Sequence, residues 1–306
     1  MADSSITVGY QILVFSAGLS FLAGFLINAF IVAVNISEWK KGRPMSTADK
    51  VITSLGISRM VFQVSCLLNI IWDIYFYRLS SLFIVSVIFL ESTSVYSSIW
   101  LSTLLSVVFC LKISTLHNAF FLRLKIFVLN RVSCLITGSV IVSSSNILIV
   151  YSMANFAISN NSTRGTYNNL FLGLSISANI FLIVGPFLIY FISSVLLIIH
   201  LYRHMSQMRS ERNTTSHLDI YHKTIKFTGF SLLCSTVYML IEQTYPYFYD
   251  VFGLLGCYFF WQIFPTLHSI YLIYVTTKLR IQVSNMVHKL RRRCGDPKAS
   301  VETVFQ

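Results

Sequence analysis

Three charged side chains stand inside long apolar runs: Arg59, Glu91 and Glu242. Charge within a bilayer is costly and is kept where it has a partner or a task. Arg59 falls in the middle of Leu55-Gly-Ile-Ser-Arg-Met. Asn28 and Ser269 are the polar groups expected to hold it, which makes it a structural clasp or switch element rather than a ligand contact. Glu242 follows Tyr238 by four residues and precedes Tyr245 by three, the spacing that puts all three on one helical face. With Glu91 they would open a cavity for a small, partly cationic organic molecule, carboxylates supplying charge and tyrosines their ring faces. The alternative is that each glutamate is a neutral acid bonded to a neighbouring helix. No phosphate-cradling glycine loop, nucleophile elbow or His/Cys/carboxylate metal cluster accompanies them. His200 and His204 stand four apart but without a carboxylate nearby, and read as interfacial. No enzyme activity, metal or cofactor is expected.

The elements that position these groups must be membrane helices. Hydrophobic residues make up 55% of the 306 and charged residues 11%, against about a quarter charged in a soluble domain. A run of about 20 apolar residues crosses a bilayer as a helix. Seven such spans are read, at about 9–34, 50–72, 85–111, 132–154, 178–202, 224–246 and 254–276. The third ends where Lys112 stops it and carries hydroxyls at Ser97, Ser98, Ser102, Thr103 and Ser106. A helix facing lipid all round has no use for them, so this span is placed at the centre of the bundle. Pro186, Pro246 and Pro265 fall within spans and are expected to kink them. No cleavable signal peptide is expected, since the first apolar run is long and lacks a basic lead.

Of the 23 Lys and Arg, 20 lie in segments 35–50, 112–131, 203–226 and 277–306. Basic loops stay cytoplasmic, so the N-terminus is expected outside and the tail inside. The net charge of +12 then reflects topology and attraction to anionic lipid, not nucleic-acid binding. Asn160 and Asn161 sit in sequons on the outer side and are candidate glycosylation sites, whereas Asn35 and Asn213 are expected to be cytoplasmic and unmodified. Cys294, after Arg291-Arg292-Arg293, is a candidate palmitoylation site. Leu279, Val283, Met286, Val287 and Leu290 alternate with basic residues, as in a helix lying on the inner leaflet. The division is thus a membrane domain, 1–277, and a cytoplasmic tail, 278–306.

One long stretch carries a resemblance: Trp100-Leu-Ser-Thr-Leu-Leu-Ser-Val-Val-Phe-Cys-Leu-Lys-Ile-Ser-Thr-Leu-His-Asn-Ala-Phe-Phe-Leu-Arg-Leu-Lys. It resembles the end of span three and the second cytoplasmic loop of type 2 taste receptors, the bitter receptors. Leu55-Gly-Ile-Ser-Arg59 resembles their Leu-Ala-x-Ser-Arg. His217-x4-His222-Lys-Thr-Ile-Lys-Phe loosely resembles the entry to span six, and His268-Ser-Ile-Tyr-Leu-Ile-Tyr-Val-Thr-Thr-Lys-Leu-Arg the end of span seven.

The resemblance implies a G-protein-coupled receptor for bitter small molecules in the plasma membrane, acting through a gustducin-like heterotrimeric G protein, phospholipase C and calcium release. It places ligand contacts at Glu91, Val95, Tyr238 and Tyr258, with Gln262 one turn inward. The family often has Trp where Glu91 stands and Asn where Val95 stands, so specificity does not carry over, and Glu91 would favour amines. Arg123 and Lys125, with Lys223 and Lys226 of the basic third loop, are the candidate G-protein-facing residues. Homo-oligomerisation is left open. A vomeronasal type 1-like receptor shares the general plan but would lack the Leu-Lys-Ile run after span three. A transporter would show repeated halves, and no internal repeat is seen.

Overall fold

A computed structural model describes residues 2–75, 81–113, 119–159, 180–210 and 215–293. These form nine α-helices and, among the described residues, no strand. They are α1 (Ala2–Lys40), α2 (Thr47–Tyr75), α3 (Ser81–Ile113), α4 (Ala119–Asn130) and α5 (Val132–Ser159). A π turn, Ile180–Val184, leads into α6 (Gly185–Ser210), followed by α7 (Thr215–Gln243), α8 (Tyr245–Val275) and α9 (Thr277–Arg293). Six helices, α1, α2, α3, α5, α6 and α7, contain stretches long and apolar enough to cross a membrane. α8 is of similar length and carries Gln262, Thr266, His268 and Ser269 on its buried face.

Local chemistry sets the boundaries. At the start of α2, Asp49 N–H donates to Ser46 Oγ at 3.1 Å and Ser46 N–H to Asp49 Oδ2 at 3.4 Å, a reciprocal cap. Gly42, at φ 82°, takes the left-handed conformation that ends α1. Pro246 lies in a first turn, where a missing N–H costs nothing, and does not kink its helix; Pro186 follows close on the π turn, an irregularity in the helical run of the kind a proline brings. Pro265 is internal to α8. The sixth span therefore stops at Gln243 instead of running to 246, and Tyr245 belongs to α8, off the continuous helical face expected for Tyr238 and Glu242. A second interruption follows at Gly253, φ 66°, so the regular part of α8 begins where the seventh span was placed. Segments 112–131 and 203–226, read as loops, are largely helical: α4 fills the first, and α6 and α7 extend into the second, whose 203–210 stretch lacks any Gly or Pro to stop a helix.

The third helix is central, packing against α2, α4, α5 and α6. Ser97, Thr103 and Ser106 are buried, and Ser98 and Ser102 half-buried. Ser106 shares hydrogen bonds with Ser193 (2.8 Å) and Ser194 (2.9 Å) of α6. Ser58 of α2 donates to the Ser94 carbonyl (2.8 Å) and receives one from Ser98 (3.1 Å). Such small polar contacts hold helices together where no water drives association. At the basic end Leu55, Leu105, Val108, Leu111, Leu272 and Leu279 form one core with Val128 of α4. Beside it Lys278 Nζ reaches Asn35 Oδ1 (3.0 Å) and Asp49 Oδ2 (3.4 Å), while Asn35 Nδ2 donates to Thr53 (3.0 Å). Asn35 is thereby consumed by the α1–α2–α9 junction, and as a fully buried side chain it offers nothing for a glycan to attach to.

Candidate ligand cavity and arginine clasp

Arg59 lies on the face of α2 turned towards α8 and is 6% exposed. Its Nη1 donates to Ser269 Oγ (2.6 Å) and to the Pro265 carbonyl (3.1 Å), and lies 3.2 Å from His268 Nδ1. Arginine only donates, so that Nδ1 is the acceptor and the imidazole proton sits on Nε2. Ser269 in turn donates to Asn28 Oδ1 at 2.9 Å, and Asn28 Nδ2 to the Gly24 carbonyl at 2.8 Å. One arginine thus joins α1, α2 and α8 through fully buried partners, Asn28 at 1% and Ser269 at 0%. These are the residues that the sequence brings forward for it.

Arg59 also faces a cavity of about 70 Å³ between α2, α3, α6, α7 and α8, a position that reading it as a pure clasp did not anticipate. That volume is several times what one water needs. The polar groups come mainly from α2 and α8, with Arg59, Gln63, Gln262 and His268 beside Phe62, Phe264 and Pro265. The facing wall is formed by Val95, Ser98 and Ile99 of α3, Phe187 and Tyr190 of α6, and Cys234, Ser235, Tyr238 and Met239 of α7. Gln63 is 3% exposed, and room for its amide comes from Gly24, where a Cβ would fall on Gln63 and on the Thr266 hydroxyl.

Of the residues proposed from sequence as ligand contacts, Val95, Tyr238 and Gln262 line this cavity. Glu91, Glu242 and Tyr258 do not. Glu91 Oε2 accepts from Asn69 Nδ2 (3.1 Å), which also donates to the Tyr258 hydroxyl (2.8 Å), so these three knit α2, α3 and α8 together. Tyr258 is buried with Phe62, Cys66 and Val95, its ring behind the cavity wall. Glu242 is half-buried one turn beyond Tyr238. The Tyr245 side chain lies outside the described residues. Sequence reading missed Gln63, Cys234 and Ser235. Gln63 has the same signal as Arg59, a polar side chain in an apolar run. Cys234 and Ser235 have none, since small residues are common on any membrane helix.

Residues 6–291 match the family model described as "Taste receptor protein (TAS2R)". The chain belongs to this family. It is 28% identical to taste receptor type 2 member 110 of Mus musculus over 89% of this chain and 91% of that one. It is 30% identical to member 103 of Mus musculus over 86% and 87%, and 28% identical to member 39 of Gorilla gorilla gorilla over 85% and 81%. The receptor is accordingly a membrane protein, and the helices that build the cavity all lie within the matched region.

At the basic end of the receptor Lys112, Arg123, Lys223 and Lys226 are exposed and Lys125 is half-buried. Arg123 and Lys125 stand on α4, Lys223 and Lys226 on the N-terminal half of α7, so all four are carried by helices. His204 of α6 packs on Tyr221 of α7, ring centroids 5.2 Å apart. Asn160, Asn161 and Cys294 lie outside the described residues.

Proposed function

We propose that this receptor detects bitter small molecules at the cell surface and signals through a gustducin-like G protein, phospholipase C and calcium release. The observation that carries the reading is a mostly apolar cavity with polar groups at Arg59, Gln63, Gln262 and His268, lined by the helix bundle of a chain in the taste receptor type 2 family. The bundle crosses the plasma membrane seven times, with α8 as the seventh span, N-terminus outside and α9 on the inner leaflet. Support comes from the concentration of Lys and Arg at one end and from exposed Ile281, Met286 and Val287 on the basic α9. A ligand among α2, α3, α7 and α8 stabilises one packing over another only by its differential affinity for the two. Arg59 is suited to transmit that difference, because it faces the cavity and also holds α1 and α8. The basic end, with Lys112, Arg123, Lys125, Lys223 and Lys226, receives the G protein.

Calcium imaging tests this in cells expressing the chain with a gustducin-chimeric Gα and challenged with a broad bitter panel. A dose-dependent response is expected, with potency falling about tenfold or more in Tyr238→Ala at unchanged surface density, since a lost aromatic contact and its buried area are of that size. Silence across the panel with surface expression confirmed would overturn the assignment.

A further inference from the structure

We propose that the cavity selects organic acids, their carboxylate or sulfonate serving as counter-ion to Arg59, with the Gln63 and Gln262 amides beside it. The inference rests on the receptor reading above and supplies the ligand class. Arg59 is the one formal charge among the described lining residues. The ion pairs among the described residues lie elsewhere, at Glu38 with Lys41 and Arg43, and at Asp49 with Lys278. The three acceptors around Arg59 Nη1 are neutral, and its Nε has no partner among the described residues. A buried cation without an anion is costly, and the neutral clasp supplies no counter-charge. Gln63 Oε1 and Gln262 Oε1 are also buried without partners among the described residues, each on a residue that is 3% exposed and lines the cavity. Turned about its terminal bond, each amide presents N–H instead of oxygen. A carboxylate bonded to Arg59 Nε and to both amides would engage all three groups at once. The glutamates that would favour amines lie off the lining, Glu91 being already bonded to Asn69.

The test uses the full-length receptor in the calcium assay, with naphthoate, biphenyl-4-carboxylate and naphthalenesulfonate. Each carboxylate is paired with its methyl ester, the sulfonate with its sulfonamide, and naphthylmethylamine is added as the cation. The acids are expected to be about tenfold or more potent than their neutral partners, the range of a charge-assisted hydrogen bond. That ratio should collapse towards one in Arg59→Gln and shrink in Gln262→Leu, whereas Arg59→Lys retains part of it. Because the readout is a ratio within one variant, poor folding lowers both potencies and does not imitate the effect. Equal potency of acid and ester in the unaltered receptor, a ratio that survives both substitutions, or a preference for the amine would overturn the inference. A response to other panel compounds with all acids silent would overturn it while leaving the receptor reading intact. A receptor silent to everything would end both.

Discussion

Gly56→Leu is expected to remove most of the receptor from the cell surface, while Gly18→Leu leaves it in place. A Cβ on Gly56 would stand 3.0 Å from Val32 Cγ2 and 3.6 Å from the Asn28 carbonyl, so α1 and α2 meet there almost backbone to backbone. One methyl is taken up by a small movement of Val32, in keeping with the Ala at this place in the Leu-Ala-x-Ser-Arg pattern that Leu55–Arg59 resembles. A leucine must separate the helices and pull Asn28 from Ser269, undoing one side of the Arg59 clasp. The cost lies at the upper end of the ~1–3 kcal/mol that overpacking exacts, and each 1–2 kcal/mol changes the folded-to-unfolded ratio by a factor of roughly 5–30. Gly18 is exposed on α1, and a Cβ there would meet nothing within 4 Å. Surface labelling of an N-terminally tagged receptor and the thermal midpoint of the detergent-solubilised protein check both. Equal surface density of the two variants would mean that α1 does not sit against α2 as described.

Ser235→Trp is expected to abolish the response to every agonist, or weaken it by about a hundredfold or more, a loss of roughly 2.7 kcal/mol. Ser235 is half-buried on α7 and lines the cavity. An indole entering from that position takes up the space that a ligand ring would use. Leu233→Trp is the control: Leu233 is 61% exposed on the same helix and faces away. Dose–response curves at matched surface density should be unchanged for Leu233→Trp and flat for Ser235→Trp. Full response in Ser235→Trp would move the ligand out of this cavity.

Much of the clasp was legible in the sequence because a charge in an apolar run must find polar company, and Asn28 and Ser269 are polar residues that flanking helices can offer it. The centrality of α3 was legible for a related reason: five hydroxyls on one span make sense only against other helices. What could not be read is rotation. Whether Glu91 points into the bundle cavity or across to Asn69 depends on a fraction of a helical turn, which hydropathy does not encode. The break at Thr244 likewise separates Tyr245 from Glu242 despite helix-compatible spacing, although Pro246 in the next first turn is a signal that could have placed it. Asn35 read as an idle sequon; only the tertiary fold brings Lys278 to it from 243 residues away.

Thiol protection at the cavity wall shows whether an agonist occupies the space between α2, α3, α6, α7 and α8. Ser235→Cys is made in a background with Cys134, Cys234 and Cys294 changed to Ser, which removes the exposed thiol among the described residues, the native thiol on the cavity wall and the thiol of the tail. Labelling by a small methanethiosulfonate is then followed with and without a saturating agonist from the panel. The agonist is expected to slow modification at position 235 by about tenfold or more, since a bound ligand excludes reagent from a site at which it is held. Leu233→Cys, on the outer face, should label at one rate throughout. Modification of Ser235→Cys at the same rate with and without a saturating agonist would place the ligand elsewhere and contradict the cavity as its site.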